Sequence, residues 1–364
     1  VAVPLVDVRA QYLPLLDELK ERLAVVLDSG RFILGPEVAA FEEETASYLG
    51  VRETIGVANG TDALVLALEA LGVGPGDEVV CPAFTFYATA EAVSRVGATP
   101  VFCDIEAASL NLDPADVAER VTPRTKAIVA VHLFGRPALV DRLPGEVPCI
   151  EDTAQAFGAS MGGRRAGSAG AAATFSFFPT KNLFGLGDGG LVASNDANTA
   201  ERVRLLRFHG SRDKKTFEAV GMNSRLDEVQ AAALRLFLGH IDEWNGGRRE
   251  AAARYAELGL GELCELPEDD PGHVYHMYVV RSPERDRIAD ALRAADIGFA
   301  TYYTTPLHLQ PVYSGLGYAP GSLPETERAA RETIALPLWP GIPAAVQEQV
   351  VVAVRSVAGV GAGA

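Results

Sequence analysis

The chain has 364 residues, 48% of them hydrophobic and 22% charged, enough to bury a large core and too apolar for a disordered chain. Its 32 Lys and Arg stand against 48 Asp and Glu, a net charge of −16 that repels phosphate backbones and anionic lipid. This argues against nucleic acid or a membrane surface as partner. No apolar run approaches the roughly 20 residues that span a bilayer, and the first residues lack the basic-then-apolar layout of a signal peptide. The four cysteines, Cys81, Cys103, Cys149 and Cys264, form no C-x-x-C pair, and a reduced, cytoplasmic protein is expected.

In chain order, seven short apolar runs read as strands: 54–58, 78–82, 100–104, 127–132, 148–152, 173–178 and 189–194. They alternate with helix-length amphipathic stretches and lack strict polar alternation. That pattern suits a mostly parallel sheet covered on both faces, with ligands beyond the carboxyl ends of its strands. From Ser224 to about Ala256 the period becomes helical without a Pro, which predicts one long connector. A further strand is expected over 273–281, a helix from Pro283 to Ala295, and a last helix from about Pro343 to Val357. The chain thus divides into a large domain, 1–248, and a smaller α+β domain, 249–364. Its AGVGAGA tail reads as frayed.

The window ATFSFFPTKNLFGLGDGGLVAS sets Lys181 in a loop directly after an apolar strand. A loop lysine is usually solvated, so its neighbours must decide. Gly185, Gly187 and Gly190 match the dinucleotide pattern G-x-G-x-x-G, but they precede a strand-like run instead of opening a helix, which argues against that reading. In IEDTAQAFGA, Asp152 ends a strand with Gln155 three residues on; it either faces the ligand crevice or caps a helix. A lysine able to form a Schiff base and a carboxylate able to hold a ring nitrogen protonated are the two requirements of pyridoxal phosphate chemistry. In VANGTDALVLALEAL, a strand ends at Asn59, Gly60 and Thr61 and runs at once into an apolar helix, whose free N–H groups could hold a phosphate or need only caps. Phe84, Phe86 and Tyr87 follow another strand; one could stack on a pyridine ring, or all could be core.

The ordered set NGTDAL, GPGDEVVCPAFTFYATA, EDTAQAFGA, FSFFPTKNLFGLGDGG, GMNSRLDEVQAAALR and ALPLWPG resembles the DegT/DnrJ/EryC1/StrS family of nucleotide-sugar aminotransferases over nearly the whole chain. The resemblance implies a fold-type I pyridoxal phosphate enzyme, with a seven-stranded mostly parallel sheet between helices and a smaller C-terminal domain. It also implies roles: Lys181 as Schiff-base lysine and proton carrier, Asp152 on the pyridinium nitrogen, Gln155 near the ring hydroxyl, Phe86 stacked on the ring. Gly60, Thr61 and Ser176 would hold the phosphate, and Asn223 would reach the phosphate of the neighbouring subunit in a homodimer. The structural alternative for Asn223 is a helix cap.

The retained lysine distinguishes the chain from the sugar dehydratase branch, which has histidine there. The implied reaction moves an amino group from L-glutamate to a nucleotide-linked keto sugar. GSRDKKTFEAVGMNSRLDEVQAA resembles the branch acting on 3-keto-6-deoxy sugars, with 4-keto, UDP-linked or cyclitol substrates and a silent homologue as alternatives. Lys215, Tyr303 and His308 are candidate contacts to sugar or diphosphate, and no metal is expected. Tyr302 and Tyr303 stand where many relatives show His then Tyr, and Phe178 where some show Tyr; these departures bear on the sugar side of the pocket.

Overall fold

The computed structural model describes residues 2–358; the AGVGAGA tail after its first residue, 359–364, lies outside them. Eleven strands are present among these residues: β1 (Glu53–Val57), β2 (Glu78–Pro82), β3 (Thr99–Cys103), β4 (Thr125–Val131), β5 (Cys149–Asp152), β6 (Ser160–Met161), β7 (Arg164–Arg165), β8 (Ala172–Ser176), β9 (Gly190–Ser194), β10 (Tyr278–Arg281) and β11 (Thr333–Leu336). The α-helices are α1 (Val8–Tyr12), α2 (Leu16–Ser29), α3 (Pro36–Leu49), α4 (Gly60–Ala70), α5 (Ala88–Arg95), α6 (Pro114–Arg120), α7 (Ala197–Leu206), α8 (Glu228–Leu238), α9 (Ile241–Glu257), α10 (Arg285–Ala294), α11 (Pro324–Glu332) and α12 (Ala344–Ala358).

All seven expected sheet strands form, in the order β1-β9-β8-β5-β4-β2-β3. Only β9 runs against its neighbours, so the sheet is mostly parallel. Helices cover both faces, which is why the strands are nearly continuously apolar: Val79, Val80, Ile128, Val129 and Ile150 are all fully buried. The parallel strands end on one edge, and the turns leaving β1, β2, β4, β5 and β8 gather there. β10 and β11 pair antiparallel; Tyr278, Val280, Ile334 and Leu336 pack with α9, α10 and α12 in a second apolar cluster, while Val279 and Ala335 join the cluster of the large sheet.

Two expectations are corrected. The long connector is two helices: Gly239 and His240 separate α8 from α9, with His240 at φ −112°. Glycine is a poor helix interior residue, and here the chain turns at it. The strand expected over 273–281 is extended only from Tyr278 onward. Residues 273–277 form a buried irregular segment with Tyr275 at φ 43°, tied to the large sheet through Val274 N–H to the Gly135 carbonyl at 3.0 Å.

Another anchor positions the chain before the site. Glu228, buried at the start of α8, accepts from the N–H groups of Gly35, Glu37 and Val38 at 2.8–2.9 Å. A carboxylate at the amino end of α3 satisfies donors that the helix itself cannot.

Candidate active site

The shared strand edge opens into a cavity of about 490 Å³ between the sheet and the 273–277 and 302–303 segments. Gly60, Thr61, Phe86, Asp152, Gln155, Ser176, Lys181 and Tyr303 all line it, so eight residues drawn from five separate stretches of sequence meet in one place.

The floor is the amino end of α4. Asn59 is its N-cap, accepting from Asp62 N–H at 2.8 Å, while the N–H groups of Gly60 and Thr61 have no acceptor among the described residues. Two glycines make this end accessible. A Cβ at Gly60 would sit 2.7 Å from the Ser176 Cβ, and one at Gly190 would sit 2.4 Å from the Asn59 carbonyl oxygen. Gly190 is therefore needed for close approach of β9 to the cup, and it begins a strand, the wrong context for a dinucleotide fingerprint.

Asp152 ends β5 almost wholly buried. Its Oδ2 accepts from Thr89 Oγ1 at 2.9 Å and its Oδ1 from Ala154 N–H at 3.2 Å, so it caps no helix. Burial raises its carboxyl above the ordinary range, with the hydrogen bonds and Lys181 pulling the other way. Lys181 follows β8 and is half-buried in the wall. Burial lowers its ammonium to about 8, against the opposing pull of Asp152. Gln155 is held at both ends: Oε1 accepts from Phe134 N–H at 2.8 Å and Nε2 donates to Tyr303 Oη at 3.2 Å. Phe86, 58% exposed, stands on the rim with a ring face open.

Three expected site residues lie elsewhere. His308 is corrected as a sugar or diphosphate contact: it is 1% exposed, its Nε2 lies 3.3 Å from Glu327, and its ring packs edge-on against Tyr318, away from the cavity. Lys215 is exposed on the loop between α7 and α8, outside its own chain's cavity. Asn223 is exposed too, in a neighbouring depression with Arg225 and Gln230 that shares Asp188 with the cavity wall. It precedes Asp227, the residue flanking α8, by four positions and caps no helix.

Sequence reasoning passed over several groups. Thr89, which fixes Asp152, carries no signal a sequence could show. His132 does, since it directly follows β4 where Asp152 ends the neighbouring β5. Its Nε2 pairs with buried Glu151 at 2.9 Å, and Glu151 also accepts from the N–H groups of Gly167, Ala169 and Gly170 at 2.7–2.8 Å. Burial opposes charge on Glu151, but the hydrogen bonds from His132, Gly167 and Gly170 outweigh it and hold the carboxyl at about 2. A carboxyl depressed below its unfolded value of 4.5 contributes stability above that pH and loses it as pH falls towards 2. Glu151→Gln is therefore expected to flatten the stability profile in that window, measured as denaturant midpoints at neutral pH and at about pH 3. An unchanged loss of stability on acidification would show that the acid sensitivity lies elsewhere.

These residues fit pyridoxal phosphate: free helix N–H groups in a glycine-walled cup for the phosphate, an amine lowered towards neutrality, and a fixed carboxylate across one cavity. This combination marks an enzyme that works through that cofactor. The profile of the DegT/DnrJ/EryC1/StrS aminotransferase family matches residues 15–355. The chain is 45% identical over 359 residues to the pleiotropic regulatory protein of Geobacillus stearothermophilus, covering 96% of each. It is 45% identical over 363 residues to the dTDP-3-amino-3,4,6-trideoxy-alpha-D-glucose transaminase of Streptomyces venezuelae, covering 97% of this chain and 95% of the relative. It superposes on the crystal structure of S. venezuelae DesV with a TM-score of 0.94 at 45% identity, over 98% of both chains. The chain belongs to the DegT/DnrJ/EryC1/StrS aminotransferase family and is a pyridoxal phosphate-dependent aminotransferase.

Proposed function

We propose that the chain transfers an amino group from L-glutamate to the keto group of a nucleotide-linked sugar, a dTDP-3-keto-6-deoxy sugar above the alternatives. The observation that carries this reading is the meeting of Lys181, Asp152 and the α4 cup in one cavity, in a chain whose relative at 45% identity is named as a dTDP-3-amino sugar transaminase.

When bound, the cofactor supplies an aldehyde that joins an amine and a ring that draws electrons from the neighbouring carbon. The N–H groups of Gly60 and Thr61, with the Thr61 and Ser176 hydroxyls, would hold its phosphate at the positive end of α4. Asp152, oriented by Thr89 and Ala154, would hold a proton on the ring nitrogen. Phe86 would stack on the ring and Gln155 would lie beside its hydroxyl. Lys181, with its amine lowered to about 8, is unprotonated in a useful fraction near neutral pH and moves the proton at the reacting carbon. Tyr303 would contact the sugar nucleotide from within the cavity, and Lys215, outside its own chain's cavity, only that of a neighbouring subunit.

The chain acts as a homodimer in which Asn223 reaches the neighbouring subunit's phosphate. Supporting this, Phe32, Ile33, Leu34 and Leu186 expose 37–47% of their surface. No helix among the described residues is long and apolar enough to cross a membrane, and all four cysteines are free and buried, which suits the cytoplasm.

The test is incubation of holoenzyme and L-glutamate with dTDP- and UDP-linked 3-keto and 4-keto sugars and a keto-cyclitol, products read by mass. Amination of the dTDP-3-keto-6-deoxy sugar above the others is expected. Turnover of the cyclitol alone would overturn the substrate assignment.

A further inference from the structure

Beside Lys181 the cavity wall is built from the irregular segment 273–277, with α9 behind it. His276 forms part of that wall, 3% exposed, and its Nδ1 is sealed from solvent without a hydrogen-bond partner among the described residues. Behind the segment lies Arg248, wholly buried, with no carboxylate in salt-bridge reach among the described residues. Its guanidinium donates to the Tyr275 carbonyl at 3.3 Å and to Gln11 Oε1 at 3.2 Å, while Nε finds no acceptor. Gln11 Nε2 is unpaired as well. Asn182, the residue after Lys181, donates to Asn245 and to the Val274 carbonyl but leaves its Oδ1 unpaired.

These groups share one small region: Asn245 and Arg248 are one turn apart on α9, and Val274, Tyr275 and His276 are consecutive. The unpaired atoms are complementary. Arg248 Nε and Gln11 Nε2 are donors; Asn182 Oδ1 and an unprotonated His276 Nδ1 are acceptors.

The charges lining the cavity sharpen the point. Lys181 is the only lysine or arginine among the lining residues, and Asp152 and Asp188 both repel anions. An α-amino acid must nevertheless bring its carboxylate close to Lys181 to be deaminated. Outside the phosphate cup, the wall backed by the uncompensated Arg248 is where that carboxylate meets positive potential, little screened in a protein interior.

We propose that His276, backed by Arg248, is the subsite for the α-carboxylate of the amino donor. His276 Nδ1 is sealed from solvent and faces the positive charge of Arg248, which favours a lone pair over a hydrogen there, so the ring hydrogen sits on Nε2 and donates into the cavity. Burial, together with the charges of Lys181 and Arg248, keeps this imidazole neutral. The inference rests on the aminotransferase reading but is independent of the sugar, because the donor half-reaction uses no sugar.

The experiment follows the bound cofactor's visible absorbance as holoenzyme is converted by L-glutamate, with 4-aminobutyrate, which lacks the α-carboxylate, for comparison. His276→Leu is expected to raise the half-saturating L-glutamate concentration about tenfold or more, the loss of one hydrogen bond to a charged group. The same change should leave 4-aminobutyrate and the KM for the keto sugar nearly unmoved. His276→Gln, which keeps an N–H near the Nε2 position, should recover most of the loss. An unchanged L-glutamate dependence in His276→Leu, or equal rises for L-glutamate and the sugar, would overturn the subsite and leave His276 as packing. A keto-sugar panel without turnover, beside a normal L-glutamate half-reaction, would overturn the substrate reading and not this one.

Discussion

Lys181→Ala is expected to lower turnover by about a thousandfold or more while leaving the fold intact. The size follows from the two tasks proposed for one amine, joining the cofactor's aldehyde and carrying the proton at the reacting carbon, the second alone being worth about 10² to 10⁴. Tolerance of the change follows from packing. Lys181 is half-buried, its side chain makes no hydrogen bond among the described residues, and burial lowers its ammonium from 10.5 to about 8. A lysine whose folded value is depressed weakens the fold below that value, and the penalty fades as pH rises through about 8 towards 10.5. The apoprotein of Lys181→Ala should therefore melt at or above the parent temperature near neutral pH. Single-turnover kinetics and thermal melts check the two halves; a variant that keeps substantial turnover would remove the lysine from the mechanism.

Asp152→Asn is expected to be nearly as damaging, at about 10² to 10³ in kcat, the size lost when one fixed electrostatic partner is removed from a reacting group. An amide has the shape of the carboxylate: its Oδ1 can still accept from Ala154 N–H while its Nδ2 donates to Thr89 Oγ1, so geometry is largely kept while the charge that stabilises a protonated ring nitrogen disappears. Because burial raises the Asp152 carboxyl above its ordinary value, its charge is a cost to the fold, and the asparagine variant should be at least as stable as the parent. Loss of kcat with preserved stability and cofactor content is the expected signature. A fall in stability matching the fall in activity would mean that Asp152 serves packing instead.

Much of this was legible in sequence because it rests on local pattern. Strands buried on both faces need unbroken apolar runs, and all seven were visible; Asp152, Lys181 and the Gly60–Thr61 turn were found because each follows such a run. What escaped depends on contacts distant in sequence. The break at Gly239 lies inside a helical period that simple counting does not interrupt. Residues 273–277 have the composition of a strand, but they are pulled out of extension where they cross to Gly135, and His276 with its unpaired Nδ1 was hidden in that misreading. His308 has the chemistry of a ligand contact and the position of a buried partner of Glu327. Neither Thr89 beside Asp152 nor Arg248 behind His276 has any sequence signature, since each is defined by what the fold sets next to it.

The central claim is that the amine at 181 is the group that joins the cofactor, within reach of the carboxylate at 152. Borohydride reduction of the holoenzyme followed by peptide mass mapping tests it directly. The account predicts a phosphopyridoxyl mass on the peptide containing Lys181 and on no other lysine. Label on a different lysine, or protein that takes up pyridoxal phosphate without any reducible bond, would contradict it.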